Sequence, residues 1–377
     1  MSVHTLTDSE IHLNTIQEAL EDIRNGKLVI VVDDEDRENE GDFICAAEKI
    51  TPELINFMAT YGRGLICTPI LAERAKELDL DLMVKSNTAM HNTAFTVSID
   101  LIGQGCTTGI SAYDRATGIK AIVNPATHAD DFARPGHIFP LIAKDGGVLR
   151  RTGHTEAAVD LARLAGCYPA GVLVEILNED GTMARLPQLA ALARQLDVKI
   201  ITIKDLVAYR MQTERLVANE FETQLDTQYG QFHVKAFRQV TTNDIHLAFT
   251  MGNTHSDDPI MVRVHSDTET GDILGLLFDD YADQLTESLK MIAREKRGVL
   301  LFMRHGEKTE SILHKLKQLG NDIQVHNAHE EQRDFGTGAQ ILKELGISKI
   351  RLITNSSKKR VGLIGYGLEI VENISCK

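Results

Sequence analysis

Basic residues are scarce in this chain. Forty lysines and arginines face 54 aspartates and glutamates, a formal net charge of −14 over 377 residues. Nucleic acids and anionic membranes are held by basic faces, so this balance argues against both as general partners. It leaves room for a local basic pocket around a phosphorylated metabolite. Cysteine is sparse too. Cys45, Cys67, Cys106, Cys167 and Cys376 form no C-x-x-C pair and are odd in number, which suits reduced thiols rather than a disulfide framework. No apolar run approaches the roughly 18 residues that span a bilayer. The opening Met1-Ser2-Val3-His4 lacks a basic segment followed by an apolar one, so the expectation is a cytoplasmic protein without a signal peptide.

What is present suits two globular cores. Hydrophobic residues make up 43% and charged residues 25%, and the length favours two domains over one. Ile16, Leu20 and Ile23 recur at helical spacing before Gly26. Lys27–Val32 is a short β-branched run, the pattern of a buried strand. Thr51-Pro52-Glu53 predicts a helix cap, and that helix ends near Gly62 and Gly64. Leu65–Ile70, Ala94–Ile99, Ile138–Ala143 and Val172–Leu177 read as strands, Thr155–Ala165 and Pro187–Gln195 as helices. Interleaved strands and helices predict an α/β, mixed-sheet domain over 1–212, in the broad α+β layered class. The pattern changes around Asp205–Gln228, where two helical turns lead into the polar stretch Asn219–Gln228, and the boundary is read there, with a smaller α/β domain over 226–377. That domain begins with a meander of Gln231–Val240, Ile245–Met251 and Ile260–Val264. Thr286–Arg294 before Val299–Met303, and Gly338–Leu345 before Ile350–Thr354, restore helix–strand pairs.

The densest chemistry follows the first strand. Asp33-Asp-Glu-Asp-Arg-Glu-Asn-Glu-Gly-Asp42 packs seven carboxylates and one arginine into ten residues. A solvated turn is the ordinary meaning of such a run. Its place after a buried strand, where α/β sheets bind ligands, and the enclosed Arg37 and Gly41 favour a ligand site. Crowded carboxylates repel, and a hard divalent cation relieves that repulsion. Arg37 is suited to a phosphate or a carboxylate. A second cluster runs Arg134-Pro-Gly-His-Ile-Phe-Pro-Leu141, then Gly146-Gly-Val-Leu-Arg-Arg-Thr-Gly-His-Thr-Glu156. His137 and His154 each follow a glycine, near Arg134, Arg150 and Arg151. Thr155 is expected to cap the next helix, whose free N–H groups beside arginines suit an anion. Glu175 interrupts the apolar run Val172–Leu177, where a carboxylate is expensive to bury unless paired or used in proton transfer.

These motifs, with Gly105-Cys-Thr-Thr-Gly-Ile-Ser-Ala-Tyr-Asp-Arg115, Ala170–Glu175 and Asp180-Gly-Thr-Met-Ala184, resemble the 3,4-dihydroxy-2-butanone 4-phosphate synthases from about Ala19 to Tyr209. The resemblance implies conversion of ribulose 5-phosphate to 3,4-dihydroxy-2-butanone 4-phosphate plus formate in riboflavin biosynthesis. It implies Mg²⁺, with Mn²⁺ as the alternative ion, on Glu38 and His154. It implies His137 and Glu175 as the catalytic pair. Arg37, Glu38, Asp42, Thr108, Arg151, Thr152, Gly153, His154, Thr155 and Glu175 are the implied substrate contacts. A homodimer is the implied assembly, and a small sugar phosphate the implied partner.

From about Gln231 to Val371 the chain resembles GTP cyclohydrolase II. Arg263-Val-His-Ser266, Thr270-Gly-Asp272, Arg333–Leu342 and Arg351-Leu-Ile-Thr-Asn355 carry the likeness. Arg333 stands at that family's nucleophilic arginine, Glu331 at a catalytic aspartate, and Thr354 and Lys359 at nucleotide contacts. The three cysteines that hold zinc in that family are here Thr268, Asp279 and Tyr281, and His305-Gly-Glu-Lys-Thr309 replaces a Glu-Gly-Arg stretch. Thr and Tyr are poor zinc ligands, so no zinc and no GTP opening are expected. The alternatives are a bifunctional enzyme that also opens GTP, or a C-terminal regulatory nucleotide-binding domain.

Overall fold

The computed structural model describes residues 12–34, 37–88, 93–240, 242–254, 258–266, 281–304, 337–355 and 368–376. The chain forms two compact units, Met1–Arg210 and Met211–Lys377. Among the described residues each unit holds a mixed sheet of seven strands, as expected for the first and within the α/β class expected for the second.

In the first unit α1 (Ile16–Arg24) leads into β1 (Val29–Val32) and β2 (Gly41–Ala46). Next come α2 (Pro52–Phe57), β3 (Cys67–Ile70), α3 (Ala72–Glu77), β4 (Ile99–Leu101), α4 (Ala112–Ile122) and β5 (Phe132–Ile142). The series ends with α5 (His154–Leu164), β6 (Gly171–Glu175), α6 (Leu186–Leu196), β7 (Ile200–Thr202) and α7 (Ile203–Thr213). The strand order is β4-β5-β3-β6-β2-β1-β7. Every residue of β1 is buried, because the sheet is covered on both faces. Side chains alternate along a strand. Ile30, Val32, Phe43 and Cys45 therefore pack with residues of α2, α4 and α6 on one face, while Val29, Val31, Ile44 and Ala46 meet α1, α5 and α7 on the other.

The registers gather particular residues at one end of this sheet. Val32, at the end of β1, faces Gly41 at the start of β2, and Asp42 faces Glu175 at the end of β6. Cys67 pairs with Leu173 on one side and with Phe139 on the other, so Leu65 and His137 each stand two residues toward the same end.

The second unit holds β8 (Val217–Thr227), β9 (Gly230–Gln239), β10 (Ile245–Met251), β11 (Ile260–Ser266), α8 (Tyr281–Glu295), β12 (Gly298–Met303), β13 (Lys349–Ile353) and β14 (Glu369–Ile374). Two strand readings are corrected here. The polar stretch Asn219–Gln228, in which no strand is expected, lies mostly in β8, which pairs antiparallel with β9. A strand at a sheet edge has one partner, so its side chains stay largely solvated and the apolar signal is missing. The meander stops after β10, for β11 lies between β12 and β13, parallel to both. The helix α8 links β11 to β12 as a parallel crossover.

Candidate functional site

The loop between β1 and β2 is folded around one carboxylate. Asp33 is buried. It accepts the backbone N–H of Glu38 at 3.2 Å and of Glu40 at 2.8 Å, and pairs with Arg37 at 2.8 Å. Arg185, just before α6, donates to the carbonyl of Glu38 at 2.7 Å and also to that of Asn39. These bonds turn a stretch that charge repulsion would extend into a fixed cup. Glu35 and Asp36 lie outside the described residues.

His154 opens α5 against this cup, buried, with its Nε2 3.1 Å from the carbonyl oxygen of Val31. A carbonyl only accepts, so Nε2 carries the proton and Nδ1 presents its lone pair. That nitrogen lies 3.9 Å from Glu38 Oε2 and 4.0 Å from Asp42 Oδ1. Burial lowers the His154 pKa, with Arg37 acting the same way and Asp33 and Glu38 opposing. Asp42 is the buried carboxyl pushed well above the ordinary range, first by burial and then by Glu175, Glu40, Glu38 and Asp33. Its Oδ1 has no hydrogen-bond partner among the described residues.

Ligand atoms of Asp33, Glu38 and His154 lie within 4.8 Å of one another. Both Asp33 oxygens serve the loop and Arg37, and Glu38 Oε2 also pairs with Arg37 at 2.5 Å, so Glu38 and the Nδ1 of His154 meet at the cup with Arg37 beside them. Two carboxylate oxygens, from Glu38 and the unpartnered Asp42, with one imidazole nitrogen fit a hard divalent cation better than a thiolate-seeking ion. The carbonyl that fixes the far side of the imidazole is the usual support for a ligating histidine.

Glu175 closes the row. Its Oε2 accepts the N–H of Leu65 at 2.8 Å. That approach needs Gly64, because a Cβ there would stand 2.6 Å from the same Oε2. His137 lies further along the sheet end, with Nδ1 2.7 Å from Asp100 Oδ2.

The remaining candidates lie at the start of α5, in the loop before α4 and on β5. Arg151 pairs with buried Glu156 at 2.6 Å and donates to Thr93 at 3.3 Å. Gly153, not Thr155, occupies the cap position of α5 and makes no side-chain bond. Arg151 and Glu156 close over that end of the helix, where a side chain on residue 153 would strike the guanidinium. The N–H groups of the first turn are thereby left for another acceptor. Thr152 is half-buried and Thr155 buried beside them. Thr108 is exposed in the loop that Asp114 gathers through Thr107 and Gly109. Arg134 donates to the carbonyls of Ala129, Phe132 and Leu78, so it braces β5. Sequence reading missed Asp33 as the loop's centre, although it stands in the acidic run. It missed Arg185 and Asp100 entirely, for neither lies in a charged cluster that would single it out.

In the second unit, Arg263 on β11 is buried, reaches the carbonyl of Ile353 at 3.2 Å, and has an Nε without a partner among the described residues. Thr354 is buried at the end of β13. Both stand toward the carboxyl ends of adjacent parallel strands, where such sheets bind ligands. Arg351 is tied to Glu295 and Glu372. Thr268, Thr270-Gly-Asp272, Asp279, His305–Thr309, Glu331, Arg333 and Lys359 lie outside the described residues, as does the side chain of Tyr281.

The family model for 3,4-dihydroxy-2-butanone 4-phosphate synthase matches residues 17–209, and that for GTP cyclohydrolase II matches residues 218–375. A riboflavin biosynthesis protein RibBA of Cytophaga hutchinsonii is 56% identical over 97% of this chain and 92% of its own length. The RibBA of Parabacteroides distasonis is 53% identical over 97% and 93%. The crystal structure of RibBX from A. baumannii, described as a two-domain 3,4-dihydroxy-2-butanone 4-phosphate synthase, is 40% identical with a TM-score of 0.78. It spans 96% of this chain and 99% of that one. A single-domain synthase solved in complex with two magnesium ions is 42% identical, with a TM-score of 0.51 over 53% of this chain and 98% of its own. Residues 17–209, which hold the cup, the histidines and Glu175, make this chain a member of the 3,4-dihydroxy-2-butanone 4-phosphate synthase family, with a domain of the GTP cyclohydrolase II family behind it.

Proposed function

We propose that the chain converts ribulose 5-phosphate to 3,4-dihydroxy-2-butanone 4-phosphate and formate in riboflavin biosynthesis, at the sheet end formed by Glu38, Asp42, His154, Glu175 and His137. The observation that carries this is the buried Asp42 oxygen without a partner beside Glu38 and the Nδ1 of His154. A site so desolvated and so crowded with carboxylates is relieved by a proton on one of them, or by a cation or a hydroxylated ligand that completes it.

Glu38 and His154 would hold Mg²⁺, or Mn²⁺, and the ion would supply fixed positive charge where a proton leaves carbon beside a carbonyl. Arg151, Thr152 and the first-turn N–H groups of α5 take the phosphate, as helix starts do. Arg37, Asp42 and Thr108 contact the sugar. Glu175 has one oxygen on Leu65 N–H, which orients the other toward the substrate for proton exchange. His137, with 46% of its side chain exposed, is accessible to exchange a second proton. Successive proton transfers from a small sugar need two such groups rather than one. The assembly that fits is a cytoplasmic homodimer.

For the second unit we infer a retained fold that lacks cyclohydrolase activity and zinc, on the ground that Thr268, Asp279 and Tyr281 stand where thiolates are needed. The match to GTP cyclohydrolase II over 218–375 is the observation in favour of a bifunctional chain. Supplying ribulose 5-phosphate or GTP separately, each with Mg²⁺ or Zn²⁺, and measuring formate separates the two readings. The expected result is formate from ribulose 5-phosphate with Mg²⁺ alone. Formate from GTP with Zn²⁺ would establish the bifunctional reading.

A further inference from the structure

His137 is held by a partner that no motif brought forward. β5 pairs Ile138 with Ile99 and Ala133 with Asp100, so residues 134–137 bulge from the ladder toward β4. Gly136 makes the bulge feasible, since a Cβ there would lie 2.1 Å from the backbone carbon of Ile99. Its N–H donates to Ser98 Oγ at 3.1 Å. The next residue then grips Asp100 twice. The backbone N–H of His137 donates to Asp100 Oδ1 at 2.8 Å, and its ring Nδ1 lies 2.7 Å from Asp100 Oδ2. Only 17% of the Asp100 side chain is exposed, while the imidazole reaches outward.

We propose that Asp100 is a positioning residue that fixes the tautomer of His137, so that Nε2 is the nitrogen that exchanges a proton with the substrate. This rests on the reading of His137 as catalytic. A carboxylate only accepts, so the ring must place its proton on Nδ1, and Nε2 keeps its lone pair. The double grip makes the arrangement sensitive to one atom. In Asp100→Asn the backbone N–H of His137 still requires an acceptor, which keeps the amide oxygen at the Oδ1 position. The amide NH₂ then faces Nδ1, forces it to accept, and drives the ring proton to Nε2. An isosteric change therefore reverses the tautomer without emptying the site.

The test combines kinetics with ¹⁵N spectra of the histidine-labelled full chain, in which His137→Asn identifies the His137 signals and two-bond couplings distinguish the tautomers. Asp100→Asn is expected to lower kcat on the order of 10²–10⁴-fold, with KM changed far less. Its His137 ring should move from the Nδ1–H to the Nε2–H form, with the melting temperature held. Asp100→Ala leaves the ring free to choose, so it should be no worse than Asp100→Asn. A merely structural role predicts the reverse order, with the isosteric amide the milder. Should the alanine variant fail to fold, the spectrum of Asp100→Asn decides. An unchanged tautomer, or normal turnover by Asp100→Asn beside an inactive His137→Asn, overturns the role of Asp100 and leaves His137 standing. Normal turnover by His137→Asn instead removes the catalytic reading itself.

Discussion

Among the described residues the two sheets have the same number of strands and a similar mixture of directions, yet they treat buried polar groups differently. In the first unit Asp33, Asp42 and His154 are buried together at one sheet end, with Glu175 in register beside Asp42. In the second, Arg263, His265, His246, Thr250 and Ser288 are also buried but lie along three different elements. Thr250 and Ser288 spend their hydroxyls on nearby carbonyls, and His265 stacks on Phe302. A buried polar group is tolerated when its neighbours satisfy it, and points to a ligand when several titratable groups gather at one sheet end around an oxygen left unpartnered, as they do around Asp42. Similar architecture therefore carries different chemical content, which resides in what the strand ends present.

The comparison is broken most forcefully at the proposed proton-transfer groups. Glu175→Gln and His137→Asn should each lower kcat on the order of 10²–10⁴-fold, measured by formate release, with unfolding temperature held. Normal turnover with early melting would make Glu175 a structural strand residue.

A buried pair away from the row sharpens the contrast. Asp160 accepts from Arg210 and from the N–H of Val148, each at 2.8 Å. Asp160→Ala removes the carboxylate from the buried Arg210 guanidinium, which keeps the carbonyl of Gly146, a loss of about 3–5 kcal/mol, seen as a melting temperature lower by roughly 10 °C. The Mg²⁺ requirement of the surviving folded enzyme should not change.

Arg185→Ala keeps every proposed ligand but unties the carbonyls of Glu38 and Asn39. Supports of this kind are worth about 10–100-fold in metal affinity, so titration should show weaker Mg²⁺ binding by about that factor. Binding unchanged by the substitution would mean that Asp33 holds the cup alone.

These targets were unequally legible in the sequence. The alternation of short β-branched runs with helical periods gave most elements, and the acidic run and Gly-His pairs named the row from Glu38 to Glu175. Arg185 and Asp100 were not legible, because each acts on a partner about 147 or 37 residues away and stands in an unremarkable local context. β8 was hidden because an edge strand needs no apolar face. The cap of α5 was misplaced by one general preference, that of Thr for cap positions, which yielded to the local fold of Arg151 over Gly153.

The smallest effect concerns thiols. Burial pushes the Cys45 thiol up to about 12 and that of Cys67 higher still, where Glu175 and Asp42 add to burial. Thiolate is the reactive form, so neither should label with a thiol reagent at pH 8 in the folded chain, while half-buried Cys106 and Cys167 label first. Mass spectrometry of the labelled peptides checks this order.

The most direct test of where the chemistry lies uses ribulose 5-phosphate carrying ¹³C at carbon 4. With Mg²⁺ the full chain should release labelled formate, chelation should stop it, Glu38→Ala should abolish it, and Arg263→Ala should leave it intact. Labelled formate that survives Glu38→Ala, or vanishes with Arg263→Ala in a folded chain, would contradict the assignment of the reaction to the first unit.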